Sequence, residues 1–187
     1  MTVASRTIYL NRNGATLTPG VNDSRSDVSS LMSRTGSVSG WSVSYDDWSA
    51  FMTCTRAIWA PYDVIVTDVD PGDAPHIEAL VGGSPGEVGF PYNWSGVAPF
   101  RGDCSAIDNA IVFVFTDIIG EPQRVCEIAG MEVGHAYGLD HELLAADLMS
   151  YRFSAGKTFV DADAACGENE PRSCVSGCRP SQNSHEI

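Results

Sequence analysis

The sequence predicts one α+β domain over residues 1–187, built on a small twisted mixed sheet. Short apolar runs rich in β-branched residues alternate with two segments of helical periodicity. Their order along the chain is strand, helix, strands, helix, which is typical of helices packed on a small sheet. The length of 187 residues suits one domain, and the sequence contains neither an internal repeat nor an interdomain linker.

The chain begins with a predicted strand, a turn and a loop. Residues 7–10 have the apolar character of a strand, and Asn13 and Gly14 supply the turn that follows it. Residues 18–44 are rich in Ser, Gly and Asp. We expect them to form a long surface loop.

Residues 45–59 form the first predicted helix. Ser44 or Asp46 provides its N-cap, and Pro61 ends it. The apolar positions that recur at helical spacing are Trp48, Phe51, Met52, Thr55 and Ile58.

Four strands are predicted between the two helices. Residues 64–69 and 77–81 are β-branched runs stopped by Pro-Gly and Gly-Gly. A short edge strand over residues 96–100 is predicted within a Gly-, Pro- and aromatic-rich loop, residues 83–103. Residues 110–115 are continuously apolar, which indicates a central strand buried on both faces.

The second predicted helix begins with Pro122 in its first turn and runs to about Tyr137. A short helical stretch is predicted for residues 141–147. From residue 153 onward the chain is polar and contains cysteines.

The acidic balance of the chain excludes two classes of partner. Its formal net charge is −13, which argues against nucleic-acid phosphates and anionic membrane surfaces. No apolar stretch approaches the roughly 20 residues of a membrane span, so we expect no membrane insertion. We expect a monomer.

The cysteine count predicts disulfides and therefore an oxidising compartment. The six cysteines contain no Cys-x-x-Cys pair and allow 15 connectivities, so the sequence leaves their pairing open. We expect a secreted or extracytoplasmic protein, in a mature form whose export segment has been removed, because no signal-peptide pattern follows Met1. The disulfide candidates are Cys54, Cys104, Cys126, Cys166, Cys174 and Cys178.

The residues that carry chemistry lie around the end of the second helix. Gly138 permits the left-handed turn that ends a helix, and the chain can then bring His141 back toward His135. Two converging imidazoles make a metal site plausible. Glu132 lies at the edge of the same helical face, where a carboxylate can act as general base on a metal-activated water.

These residues resemble the signature of the metzincin family of zinc endopeptidases, His-Glu-x-x-His-x-x-Gly-x-x-His followed by a methionine turn. Glu132, His135, Gly138 and His141 match their places in it, and residues 134–141 are similar to the matrix-metalloprotease branch. The resemblance implies a compact metzincin-like fold with a backing helix and an active-site helix. It also implies Zn²⁺ as cofactor and an extended peptide or protein as substrate.

The methionine turn and the division of the domain follow from the same resemblance. Met149 matches the methionine beneath the metal, and Tyr151 resembles the tyrosine that astacins and serralysins place near zinc. The resemblance divides the domain into three parts. They are sheet and helices over residues 7–130, metal motif and methionine turn over 131–151, and a cysteine-bearing tail over 152–187.

The sequence departs from the metzincin signature at the first ligand position, which holds Met131 instead of histidine. A thioether is a poor ligand for Zn²⁺. Four interpretations stay open. Tyr151 supplies a third ligand; His76 or His185 folds in; Met131 and the two histidines bind a softer ion such as copper; or the chain is an inactive pseudo-peptidase that acts as a binding protein.

Two other features bear on ligands. The carboxylate clusters Asp68, Asp70, Asp73 and Asp161, Asp163 are candidates for Ca²⁺, although neither has the twelve-residue loop pattern. The aromatic residues 90–94 and Phe100 either border a cleft that contacts a peptide or pack a loop against the sheet.

Overall fold

Ten strands and two α-helices make up the regular structure of this computed structural model, which describes residues 5–186. In chain order they are β1 (Thr7–Asn11), β2 (Gly14–Pro19), β3 (Val28–Ser29), β4 (Gly36–Ser39), α1 (Tyr45–Trp59), β5 (Ile65–Thr67), β6 (Ile77–Val81), β7 (Gly96–Val97), β8 (Ile111–Val114), α2 (Pro122–Ala136), β9 (Asp163–Ala164) and β10 (Gln182–Asn183). The predicted α+β class is confirmed. Residues 1–4, which bear on the expectation about the export segment, lie outside the described part.

The main sheet has five strands in the order β5-β1-β6-β8-β7. The first four are parallel, and β7 pairs antiparallel with β8 at the edge. Val112 and Val114 of β8 pack in the cluster that contains the helices, whereas Ile111 and Phe113 pack in a second cluster on the other face. The prediction that this strand is buried on both faces is therefore confirmed.

Helix α1 has the predicted bounds, and its predicted apolar positions are all buried. The Ser44 hydroxyl accepts a hydrogen bond from the Asp47 backbone N–H at 3.1 Å, so Ser44, not Asp46, is the N-cap. In α2 the Glu121 side chain caps the backbone N–H groups of Gln123 and Arg124, and Pro122 follows in the first turn as predicted.

The prediction of a long surface loop over residues 18–44 is wrong. This segment contains β3, β4 and the end of β2, which form a three-stranded sheet in the order β3-β2-β4. Leu17, Met32 and Val38 pack beneath the main sheet. Each of these short polar strands buries so few apolar side chains that the sequence shows no alternation.

Two further strands are markedly shorter than predicted, and one predicted helical stretch is missing from residues 5–186. The strand predicted over residues 64–69 is the shorter β5, and the strand predicted over 96–100 is only β7. The helical stretch predicted over residues 141–147 is absent from the described structure. Its backbone N–H groups bond elsewhere: Glu142 donates to the Met149 carbonyl at 3.2 Å, and Leu143 donates to the Ala165 carbonyl at 3.1 Å.

The prediction of disulfides is confirmed, because the six cysteines form three. Cys54–Cys126 joins α1 to α2, Cys104–Cys178 joins the loop after β7 to the tail, and Cys166–Cys174 closes a short loop within the tail. The disulfides therefore fix the tail against the end of α2, where the candidate residues lie.

Within residues 5–186, no helix has the length and apolar character needed to cross a membrane.

Candidate metal centre

A cleft of about 490 Å³ lies between α2, the edge strand β7 and the tail. The structure brings most of the sequence-predicted site residues to its walls. They are Met131, Glu132, His135, His141 and Tyr151.

Gly138 reverses the chain at the end of α2 and so directs His141 toward His135. Its φ is +94°, and a Cβ on this residue would lie 2.3 Å from the Cys104 carbonyl oxygen, so only glycine fits without strain. The Nε2 atoms of the two histidines lie 3.0 Å apart, with their rings 4.5 Å apart and nearly perpendicular. The convergence of His135 and His141 expected from the motif is thus present.

The protonation state of the two imidazoles follows from their second ring nitrogens. His135 Nδ1 lies 2.7 Å from the Leu139 carbonyl oxygen, and His141 Nδ1 lies 3.3 Å from Glu168 Oε1. Both partners are acceptors, so each Nδ1 carries the proton. Burial, with the neighbouring His141, lowers the pKa of His135 to about 4, and burial lowers the pKa of His141. Both rings are therefore neutral at pH 7, and their Nε2 lone pairs face each other.

This donor pair fits a metal ion. With both Nδ1 atoms protonated, neither Nε2 carries a proton, and a cation bound by both would relieve the repulsion between their lone pairs at 3.0 Å. Two nitrogens on one tetrahedral Zn²⁺ are about 3.3 Å apart, given Zn–N distances of about 2.0–2.1 Å. The observed separation is close to that value.

Met149 packs against α2 at Gly134, the residue before His135. It is fully buried, and a Cβ on Gly134 would lie 2.7 Å from its sulfur, so the methionine packs directly on the α2 turn that carries His135. On the open side, the Phe100 ring lies edge-on to the His135 ring at 6.1 Å. These contacts fix the orientation of His135.

Glu132 lies against the sheet edge within the cleft. A Cβ on Gly96 would approach Glu132 Oε1 to 2.5 Å, so the carboxyl group packs on the backbone of β7. Burial raises the pKa of Glu132 to about 8. The group is therefore poised to hold or release a proton near neutral pH.

Met131 and Tyr151 occupy different positions relative to the histidines. Met131 is 5% exposed and packs in the core while lining the cleft. The Tyr151 ring lies 4.1 Å from the His141 ring, and its side chain is 61% exposed. Tyr151 is thus an exposed residue that lines the cleft beside His141.

The other two histidines lie away from the cleft. His76 lines a separate polar cavity with Tyr9, Asn11 and Glu78, and its Nδ1 lies 2.8 Å from the Ala74 carbonyl oxygen. The His185 ring packs on the Tyr62 ring at 5.5 Å. The structure therefore gives no support to either histidine as a third ligand.

Sequence reasoning missed a carboxylate behind His141. Glu168 accepts hydrogen bonds from His141 Nδ1 and, at 2.8 Å, from Arg172 Nη2. The Arg172 guanidinium also pairs with Asp140. Both Glu168 and Arg172 lie in the loop closed by Cys166–Cys174, and no local pattern marks a contact made across 27 residues.

In the described part of the chain, two groups each bring three potential metal-ligand atoms within 4.8 Å of one another. In both groups some of these side chains already form ion pairs or a disulfide. In the first, Asp140 and Glu168 beside His141 are both ion-paired with Arg172. The second consists of Asp140 with Cys166 and Cys174, whose sulfurs form a disulfide and are not thiolates. Neither group competes with the histidine pair as a metal site.

The aromatic loop combines the two roles that its sequence left open. Phe90 packs edge-on against Phe113 at 5.4 Å, whereas Trp94 and Phe100 line the cleft. The loop therefore packs against the sheet at its start and borders the cleft at its end.

The acidic clusters considered as candidates for Ca²⁺ make local hydrogen bonds. Asp68 accepts from the Trp48 indole N–H at 3.0 Å, and Asp70 accepts from the Gly72 backbone N–H at 2.7 Å. Asp161 accepts from the Asn183 side chain at 2.8 Å. Within residues 5–186, neither cluster contributes three ligands within 4.8 Å of one another, and calcium binding stays a prediction.

Comparison with protein-family models finds no match to this chain, and comparison with the curated proteins finds none either.

Proposed function

We propose that the chain is a secreted zinc-dependent metalloendopeptidase of metzincin type with a non-standard metal site. The observation that carries the proposal is the convergence of two histidine Nε2 atoms to 3.0 Å, with a buried glutamate in the same cleft along a sheet edge. His135 and His141 would hold the metal, and Tyr151 is the third ligand that best fits its position beside His141. When bound, zinc supplies Lewis acidity that polarises a peptide carbonyl and makes water more acidic.

Glu132 carries the protons in the proposed hydrolysis. Positive charge beside it favours its ionised form and so lowers its pKa from the value set by burial. The carboxylate then takes a proton from the attacking water and returns it to the leaving amine as the C–N bond breaks. In a site whose third ligand is not Tyr151, the Tyr151 hydroxyl would instead donate a hydrogen bond to the oxyanion.

The edge strand β7 supports an extended peptide as substrate. It pairs with β8 on one side, and its two residues, Gly96 and Val97, line the cleft. A peptide that adds as a further strand gains main-chain hydrogen bonds there. In the proposed complex, the scissile bond of such a peptide would lie near Glu132 and the histidine pair, which line the same cleft.

Met131 favours a second candidate function, a pseudo-peptidase that binds peptides without cleaving them. Its side chain packs in the core at the position where the metzincin signature has a histidine, and a thioether is a poor ligand for zinc. The third alternative, a copper site, rests on the thioether that lines the same cleft as the two imidazoles.

Hydrolysis of a quenched fluorescent peptide library tests the proposal. We expect cleavage in the presence of zinc, loss of cleavage with chelator, and loss in Glu132→Gln at unchanged zinc content. Absence of cleavage by a zinc-loaded wild-type chain that still binds the peptides would favour the pseudo-peptidase.

The three disulfides support the secreted assignment, because such bonds persist in oxidising compartments. Fractionation of the native host into cells and medium tests it, and we expect the chain in the medium.

A further inference from the structure

A second cavity of about 260 Å³ opens beside the cleft. We name it the side cavity and define it by the residues that line it but do not line the cleft, which are Arg124, Glu127, Leu148, Ser150 and Lys157. It shares Ser95, Ile128, Met131 and Tyr151 with the cleft. A ligand in the cleft can therefore extend one side chain into the side cavity.

The side cavity contains the chain's single lysine in an unusual environment. Lys157 is 5% exposed, and its ammonium donates a hydrogen bond to the Ser150 carbonyl. Within residues 5–186, no carboxylate oxygen lies within 4.0 Å of Lys157 Nζ. A buried ammonium without a counter-charge is costly, and three N–H groups allow it further acceptors.

Glu127 is the nearest candidate for that counter-charge, and its oxygens have other partners. They accept hydrogen bonds from the Gln123 side chain at 3.0 Å, from Arg124 at 3.4 Å and from the Lys157 backbone N–H at 3.4 Å. The walls of the side cavity thus carry two cations, Arg124 and Lys157, and one carboxylate, Glu127, whose oxygens already accept hydrogen bonds. Burial, followed by the positive charge of Arg124, lowers the pKa of Lys157, and the opposing negative charges of Glu127 and Asp147 offset only part of that shift.

We infer that the side cavity receives a carboxylate, supplied by an Asp or Glu side chain of a peptide bound in the cleft. The inference rests on the proposed function in so far as a peptide occupies the cleft. Lys157 then acts as a specificity-determining residue, because the incoming carboxylate completes its hydrogen bonds and neutralises its charge.

The single lysine provides a direct test. Protein labelled with a carbon isotope at the lysine ε-position gives one lysine signal in nuclear magnetic resonance, and that signal reports on Lys157. The probes are short peptides blocked at both ends, in which one Glu is moved through successive positions, each matched by a Gln peptide. Binding is measured with chelator present, so it does not depend on hydrolysis.

We expect one Glu peptide to bind about tenfold or more tightly than its Gln counterpart and to shift the Lys157 signal. Lys157→Met removes this preference, and Arg152→Met retains it, because Arg152 is an exposed cation outside both cavities. If Lys157→Met does not fold, the wild-type comparison of Glu and Gln peptides decides.

Equal binding of every Glu and Gln pair overturns the inference, and so does a Lys157 signal that stays unchanged at saturation. Free glutarate that shifts the signal at the same concentration as the peptide also overturns it, because the carboxylate then comes from a free acid. Hydrolysis of the same peptides with zinc is assayed separately. Its failure counts against the proposed function, whereas the Glu and Gln comparison alone decides the role of the side cavity.

Discussion

Removing the charge of Glu168 should weaken zinc binding without touching a metal ligand. Glu168 Oε1 lies 3.3 Å from His141 Nδ1, and hydrogen bonding from Arg172 lowers the pKa of Glu168, so the carboxylate is ionised at neutral pH. A carboxylate behind a ligating imidazole fixes its tautomer and raises its basicity, and loss of such a partner typically costs about 10–100-fold in metal affinity. Since Arg172 already offsets part of the charge, we expect the lower end, about tenfold or ~1.4 kcal/mol, for Glu168→Gln.

The assay is a competition titration of zinc against a chromophoric chelator, with thermal unfolding as a check on stability. Glu170→Gln is the matched control, because it makes the same change on an exposed side chain of the same disulfide-closed loop. Equal zinc affinities for the two variants, both folded, would refute the assignment of Glu168 as the partner that orients His141.

Three further predictions follow. Met131→His should raise zinc affinity about tenfold or more by supplying a third imidazole, and Met131→Leu should leave it unchanged. Equal zinc affinities of Met131→His and Met131→Leu in the same competition titration would contradict this. Burial raises the pKa of the Glu78 carboxyl from 4.5 to about 7, because it disfavours the charged form. The stability that the uncharged form contributes is therefore fully present below pH 4.5 and is lost as the pH rises through 7. Glu78→Gln keeps the oxygen that accepts a hydrogen bond from Asn11. It should therefore raise the free energy of unfolding by up to about 3 kcal/mol at pH 8 and leave it unchanged at pH 4. Urea titrations that show the same difference between variant and wild type at both pH values would refute this. Gly138→Ala should lower the free energy of unfolding by about 2 kcal/mol or more, because the new Cβ would meet the Cys104 carbonyl. Gly156→Ala should lower it by less, because a Cβ there meets open space. Similar losses in the two variants would contradict this reasoning.

Long periodic segments were predictable from the sequence because burial on one face imposes their spacing. The predicted helix over residues 45–59 and the strand over 77–81 have the observed bounds, and α2 ends one residue before the predicted Tyr137. The sheet within residues 18–44 escaped prediction, because β3 and β4 are short, Ser- and Gly-containing strands that bury at most one apolar side chain each.

The candidate site shows the same division between local and distant signals. Spacing and the glycine after the helix suffice to predict that His135 and His141 converge, because six residues separate them. The contact of Glu168 with His141 depends on a disulfide-closed loop that returns to the site from 27 residues away. The packing of Glu132 on Gly96 likewise depends on where the sheet edge meets α2.

The metal content of the chain tests the central claim most directly. Protein purified without chelator or a metal-affinity tag is analysed by elemental mass spectrometry. We predict about one zinc per chain, held by His135 and His141 with Tyr151 as the first ligand to test by substitution. Copper in place of zinc would direct attention to the Met131 thioether, and no metal after incubation with excess zinc would contradict the proposed metallopeptidase.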